Sequence, residues 1–362
     1  MKKTLLTICL TWMCFSLSAQ KIIDLSGKWS FSIDRQDNGE KEKWFSHTLN
    51  DCINLPGSMP EKLKGDEVTA KTQWTGSLYD SSYYYNPYME KYRKEGNIKF
   101  PFFLTPDKHY VGAAWYQKEV NIPADWKGER ILLFLERPHI ETTVWVNGQK
   151  TGMQNSLCVP HQYDITRYVR PGKCTITIRV DNRIKEINVG PDSHSITDQT
   201  QGNWNGIVGR ICLQTTPKTY FDDIQIYPEP EQKLARVKVV IKGTGTAKVK
   251  LSAESFNTDK KHIVPAIQQE IKLNKGVTET EMVLPMGNDM LLWDEFHPAL
   301  YKLKAEVTNG KKTEIKEIQF GMRRFEIKGK WFYVNGRKTQ LRGTVENCDF
   351  PLTGYAPMDV ES

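Results

Sequence analysis

The sequence predicts an all-β protein built as two successive sandwiches, and three observations carry that expectation. Apolar and polar residues alternate with period two in many short runs, as half-buried strands require. Two of these runs end in tight-turn pairs, Asn147-Gly148 and Asn335-Gly336, which suit the left-handed backbone of a two-residue hairpin. Helical periodicity is scarce between them, and there is no internal repeat or low-complexity segment.

Residues 20–220 form the first expected domain. Alternation begins at Trp29 and runs to Ile33, and Asn54 to Ser58 is a turn signal. Trp115 to Val120 reads as a strand closed by Ile122-Pro123. The apolar run from Ile131 to Leu135 suits a strand buried on both faces. Thr142 to Val146 feeds the first tight turn, and Cys174 to Val180 alternates again. Short strands at this spacing predict a jelly-roll sandwich. Residues 71–108 interrupt it with ten aromatic side chains, Tyr84 and Tyr85 among them, and no regular period. A loop this long is expected to be functional.

Residues 221–319 form the second β unit. Ile224 to Tyr227 starts it, Pro228 to Pro230 bends it, and Val237–Ile241, Ala247–Leu251 and Tyr301–Val307 alternate strictly. About a hundred residues with some seven such strands predict an immunoglobulin-like sandwich. Leu292 to Tyr301 holds the polar residues Asp294, Glu295 and His297, read as a turn locked by Trp293 and Pro298. Residues 320–362 open a third region: Trp331–Val334 leads into Asn335-Gly336, and a further strand is expected over Thr339–Gly343 with Arg342 at its end. Taken alone, this stretch also reads as an ordinary β-hairpin.

At 362 residues, the chain can hold two or three domains with sizeable cores. Its 39% hydrophobic and 26% charged content is that of a globular protein. The net charge of +7 includes Lys2 and Lys3 and is otherwise scattered among acids, which argues against nucleic-acid binding. Met1 to Ala19 has the basic start, the apolar run Leu5–Phe15 and the small residues of a secretory signal, so a soluble periplasmic or extracellular protein is expected. No other stretch is apolar for long enough to be a membrane helix. Cys52, Cys158, Cys174, Cys212 and Cys348 lie beyond the signal without a C-x-x-C pair, so structural zinc is not expected and most are read as buried small hydrophobes. Neither a G-x-S-x-G elbow nor a glycine-rich phosphate loop occurs.

Particular residues carry a family resemblance. Phe320-Gly321-Met322-Arg323, Phe332, Asn335-Gly336-Arg337 and Arg342-Gly343-Thr344-Val345-Glu346-Asn347 resemble the junction in glycoside hydrolase family 2 where a β-sandwich hands over to a (β/α)8 barrel. Six phrases resemble that family's amino-terminal jelly roll, in order: Leu25–Trp29, Leu55–Ser58, Ala114–Tyr116, Val146–Gly148, Val180–Arg183 and Asn203–Ile207. Leu292 to Tyr301 resembles its L-W-x-x-x-x-P-x-L-Y phrase. Val345 and Asn347 depart from the pattern, where many members have Asn and the galactosidases a substrate-facing His.

The resemblance implies a sugar-binding-like jelly roll (residues 20–220), an Ig-like sandwich (221–319) and the first strand of a catalytic barrel (320–362). It further implies retaining hydrolysis of a terminal β-linked sugar by two carboxyls roughly 5 Å apart. Both are glutamates on later barrel strands, so no catalytic residue is expected in this chain; Glu346 and Asp349 are not read as catalytic. Arg342, Asn347, Trp204 and Asn205 are expected to contact substrate, and Tyr84 and Tyr85 to stack on it. The competing readings are a buried ion pair at the barrel end for Arg342 and Asn347, and rings that pack the loop on its own domain. No cofactor or metal site is expected here, although a divalent cation is left open for the barrel. The expected partner is an oligosaccharide or glycoside; homo-oligomerisation is left open. The rival function is a secreted carbohydrate-binding or scaffold protein without hydrolase activity, and coding sequence past Ser362 separates the two. Exchanging Tyr84 and Tyr85 for Ala in the complete enzyme is expected to raise KM while leaving the denaturation midpoint nearly in place; an unchanged KM excludes the stacking role.

Overall fold

The computed structural model describes residues 21–69, 71–72, 86–97, 106–157, 159–185, 202–345, 350, 352–359 and 361. The expected signal segment lies outside them. Two compact units form, Lys21–Thr216 with Arg342–Ser362 and, separately, Pro217–Leu341. The hairpin region groups with the second sandwich, and the residues from Arg342 onward group with the first.

In chain order the first unit contributes β1 (Ile22–Asp24), β2 (Gly27–Asp34), β3 (Asp51–Leu55), β4 (Gly57–Ser58), β5 (Asp66–Glu67), β6 (Lys108–His109) and β7 (Ala113–Ile122). It continues with β8 (Arg130–Pro138), β9 (Glu141–Val146), β10 (Gln149–Asn155), β11 (His161–Asp164), β12 (Gly172–Asp181) and β13 (Gly206–Thr216). A six-stranded sheet in the order β10-β9-β12-β7-β2-β3 packs on a five-stranded one in the order β1-β13-β8-β11, with β4 also on β13. Trp29, Phe31, Tyr116, Val144, Ile176 and Ile178 of the larger sheet meet Leu133, Leu135, Ile207 and Leu213 of the smaller in one core. Ile131 to Leu135 is buried at every position, as its unbroken apolar run requires. Of the described thiols, Cys174 and Cys212 are buried but Cys52 is exposed, because it lies on edge strand β3 facing away from the core.

The outer face of the six-stranded sheet is covered as well. Trp115 stacks on Trp145 at 4.9 Å, and Phe45 covers Trp145 at 5.2 Å. The covering segment is tied down by Asp34, whose carboxylate accepts from Trp115 Nε1, Asn38 N and Gly39 N, each at 2.9 Å. Further along the same face is an ionic network. Asp181, wholly buried, accepts from Arg179 at 3.0 Å, Arg183 at 2.6 Å and Lys185 at 2.9 Å. Asp37 bridges Arg179 and Arg183 at 2.6 and 2.7 Å.

The second unit contributes β14 (Tyr220–Glu229), β15 (Leu234–Ser255), β16 (Ile263–Pro285), β17 (Tyr301–Asn309), β18 (Lys312–Phe320), β19 (Phe325–Lys328), β20 (Trp331–Val334) and β21 (Arg337–Thr339). The first half of β15 pairs with β14 and the end of β16; beyond a register shift at Gly243/Gly245 its second half pairs with β17 and the start of β16. Divided there, β14 to β18 give the seven segments expected of an Ig-like sandwich. Val237, Val239, Ile241, Val249, Leu251 and Leu303 share one core. In the Leu292–Tyr301 phrase, Trp293 bridges to Pro298, and Asp294 Oδ1 accepts from Phe296 N and His297 N at 2.8 Å, so the polar residues cap a turn.

The two-residue turn at Asn335-Gly336 sets Val334 opposite Arg337, so the return strand starts at once and ends at Thr339. Of the strand expected over Thr339–Gly343, only Thr339 lies in a ladder, at the end of β21; a barrel strand needs neighbours on both sides, and the described residues supply none for 340–343. No helix among the described residues is long and apolar enough to cross a membrane.

Burial pushes the Asp181 carboxyl up, but hydrogen bonds from Arg183 and Lys185 and the Arg179 charge outweigh it and hold it well below the ordinary carboxylate range. A depressed folded pKa means that this stabilisation is present above the ordinary aspartate value of 3.8 and is lost as pH falls through the folded pKa below it. Asp181→Asn is expected to cost about 3–5 kcal/mol, the cost of breaking a buried ion pair, and to flatten the acid limb of the urea midpoint plotted against pH. A loss under about 1 kcal/mol at neutral pH would mean that the released cations reach solvent.

Candidate functional site

Four of the six phrases of the first domain converge at one end of the jelly roll. The cis Leu55-Pro56 bond turns the chain into β4, where Gly57 and Ser58 pair with Ile207 and Gly206. Only glycine fits at 206, because a Cβ there would lie 2.4 Å from the Gly57 carbonyl oxygen. The neighbouring Asn205 is fully buried and joins three other segments. Its Nδ2 donates to the Gly112 and Val180 carbonyls at 3.0 Å, and its Oδ1 accepts the Tyr116 hydroxyl at 2.7 Å. Its backbone carbonyl accepts Met59 N at 2.7 Å. Asn182 extends the stitching, donating to Tyr110 O and accepting Gly112 N, both at 2.8 Å, while Asn203 Nδ2 donates to Asn182 O at 3.0 Å.

Above this knot lies an aromatic stack. Trp204 is parallel to His139 at 4.5 Å and tilted against Tyr355 at 5.4 Å. Gly354, at φ 81°, rests on the indole, so close that a Cβ would stand 3.0 Å from Trp204 Cβ. Ser58 and Glu61 bond each other reciprocally, Glu61 N donating to Ser58 Oγ at 3.2 Å and Ser58 N to Glu61 Oε2 at 3.3 Å. Both side chains then reach across to the stack's far side. The Ser58 hydroxyl donates to the Thr353 carbonyl, and Glu61 Oε2 accepts the Tyr355 hydroxyl at 2.8 Å.

Burial pushes the Glu61 carboxyl up, yet hydrogen bonds from Lys62 and Tyr355 outweigh it and hold the group below the ordinary glutamate range. Burial, with the neighbouring Glu61, raises the Tyr355 hydroxyl and keeps it protonated as a donor. Burial pushes His139 down to about 3, against a contact from Asn203, so its ring stacks in neutral form.

The structure brings Trp204 and Asn205 together, both buried. Both amide hydrogens and the carbonyl of Asn205 are engaged with protein groups, and Trp204, 4% exposed, is covered by residues 354 and 355. Both residues build the joint. Arg342 is exposed, and Asn347, Tyr84 and Tyr85 lie outside the described residues. Sequence reasoning missed Ser58, Glu61, His139 and Tyr355. The S-x-x-E spacing of Ser58 and Glu61 is a capping-box signal that could have marked the first two.

The site is made for holding. Asp37 and Asp181 are both held below the ordinary carboxylate range by their arginines, the opposite of what a general acid needs. Among the described residues no group of three or more His, Cys, Asp or Glu side chains could hold a metal ion.

Residues 22–217 match the family described as glycosyl hydrolases family 2, sugar binding domain, and residues 219–323 match glycosyl hydrolases family 2. The chain belongs to this family. It is 24% identical to a β-glucuronidase of Paenibacillus borealis over 92% of this chain and 51% of that protein. It is 25% identical to a β-galactosidase of Thermoanaerobacter pseudethanolicus over 73% of this chain and 35% of that protein. The apo structure of a Ruminococcus gnavus β-glucuronidase shares the fold, with a TM-score of 0.62 at 19% identity, over 90% of this chain and 49% of that one. The chain thus spans between about a third and a half of the length of these relatives.

The four phrases Leu55–Ser58, Ala114–Tyr116, Val180–Arg183 and Asn203–Ile207 meet around Asn205 and Gly206. Asn205→Ala removes the amide from the buried Val180 and Gly112 carbonyls and the Tyr116 hydroxyl, and the Gly112 carbonyl keeps only the longer bond from Asn182 N at 3.4 Å. At about 1–3 kcal/mol for each group, a loss of about 3 kcal/mol or more is expected in urea unfolding. A loss below about 1 kcal/mol would show that water replaces the amide.

Proposed function

We propose that the complete protein is an exported retaining exo-β-glycosidase acting on terminal β-linked sugars, and that this chain is its non-catalytic amino-terminal part. The observation that carries the reading is the order of parts: a family-2 jelly roll, then an Ig-like sandwich, then the Arg342–Asn347 phrase that resembles the entry to a barrel. The relatives' names, β-glucuronidase and β-galactosidase, make β-glucuronides and β-galactosides the first substrates to try. Such hydrolysis needs one carboxyl as acid/base and one as nucleophile. The described acids of the joint are occupied in ion pairs and hydrogen bonds, so in this reading the pair is supplied from elsewhere in the protein. Export rests on the Met1–Ala19 signal pattern.

A second reading, a secreted carbohydrate-binding protein without hydrolase activity, is favoured by one feature: residues 353–358 are tied to the jelly roll by specific contacts. Nitrophenyl β-glycosides separate the two. The complete gene product is expected to cleave at least one of them, with nuclear magnetic resonance showing the β-anomer formed first, while the 362-residue chain alone shows no turnover. Activity of the isolated chain overturns its non-catalytic role. A complete product inert on every glycoside, but binding them in calorimetry, establishes the second reading.

A further inference from the structure

The three-stranded sheet β19-β20-β21 has two unlike faces. Directly opposed residues of an antiparallel pair share a face, so the register assigns each side chain. Phe325, Ile327, Phe332 and Val334 fall together on one side, where Phe325 stacks on Phe332 at 5.5 Å. Glu326, Lys328, Trp331, Tyr333 and Lys338 fall on the other. This second face is basic and aromatic, and its cations crowd the rings. Lys338 Nζ lies 3.1 Å from the centroid of the Trp331 ring, Lys330 Nζ 5.4 Å from the same centroid, and Lys328 Nζ 5.3 Å from that of Tyr333. Trp331 is 37% exposed.

The placing of the carboxylates decides what this face can take. Glu326 is committed to Arg324 at 2.5 Å and to Lys328 at 3.3 Å, and Glu231 also pairs with Arg324. Among the described residues no carboxylate pairs with Lys330 or Lys338, and both rest on the indole instead. A cation over an exposed ring is held more weakly than one hydrogen-bonded to an anion. The two ammonium groups are therefore free to leave the ring for an anionic ligand. A phosphate backbone, charged at every residue, calls for an unbroken cationic track. Here Glu326 and Glu231 interrupt the cations. An acidic polysaccharide asks for less: separate ammonium groups for its charges, and aromatic faces for the C–H faces of its sugars.

We propose that Lys328, Lys330, Trp331, Tyr333 and Lys338 form a docking face for an acidic polysaccharide. Its carboxylate or sulfate groups take the lysines, and a sugar ring takes the uncovered indole. The face holds a glycan and breaks no bond, so it stands whether or not the complete protein cleaves sugars.

Calorimetry on the 362-residue chain in low salt tests it, with hyaluronan as the carboxylated probe and dextran sulfate as the sulfated one. Hyaluronan is expected to bind, and its carboxyl-reduced, uncharged form to bind at least about tenfold more weakly. The double variant Lys330→Gln with Lys338→Gln, and separately Trp331→Ala, are each expected to weaken hyaluronan binding about tenfold. Trp331→Phe keeps a flat ring and is expected to recover most of the loss, whereas Lys173→Gln, at an exposed lysine of the first unit, changes nothing. If Trp331→Ala lowers the urea midpoint, the lysine pair decides alone, since both its side chains are exposed. Dextran sulfate bound without hyaluronan keeps the face and makes sulfate its anion. Binding of neither probe overturns the proposal, as does binding that the double lysine variant leaves unchanged. Single-stranded DNA or polyglutamate bound as tightly as the polysaccharides overturns the assignment to a glycan.

Discussion

The buried amide of Asn205 is the contact on which the joint of the jelly roll depends. It links the Gly112 carbonyl, β7 through Tyr116 and β12 through Val180, while the Asn205 backbone carbonyl takes Met59 N from the turn after β4. Apolar packing alone would hold these segments together without fixing their registers, since it is non-directional. An amide with both hydrogens and its oxygen engaged fixes all three positions at once, because any slip leaves a buried polar group unpaired. Glycine at 206 lets its backbone close in on β4 beside it, and Trp204, the other chain neighbour of Asn205, stacks on His139.

Charge plays a complementary part on the outer face of the six-stranded sheet. Asp181 and Asp37 hold Arg179 and Arg183 in a fixed frame next to the Trp115–Trp145 stack. Such a network adds little net stability compared with an apolar substitute, but it penalises every arrangement that leaves one member alone. Its carboxylates are committed as anions, which suits them to scaffolding and unsuits them to proton transfer at neutral pH. The jelly roll of this family-2 chain is thus a frame, rigid where its four phrases meet.

The seat for residues 353–358 shows how a local motif acquires a second use. A capping box normally ends its work at a helix start; here the Ser58–Glu61 pair closes a turn and still has a hydroxyl hydrogen and a carboxylate lone pair to offer. Tyr355 and Thr353 take them up across almost the whole sequence. The contact joins the jelly roll to residues 353–358, which follow the second sandwich in the chain.

Local sequence determined the strands, the two Asn-Gly hairpins and the order of two sandwiches, because period-two alternation and turn chemistry act over a few residues. It also marked Trp204 and Asn205 as special. Their role was beyond its reach, since whether a polar side chain faces a ligand or a carbonyl depends on which strands become neighbours. Gly112, Val180 and Tyr116 come together around Asn205 only after the sandwich has closed. Tyr355 had no local signature at all. Its partner stands 294 positions away, and only the tertiary fold brings the hydroxyl and the carboxylate within reach.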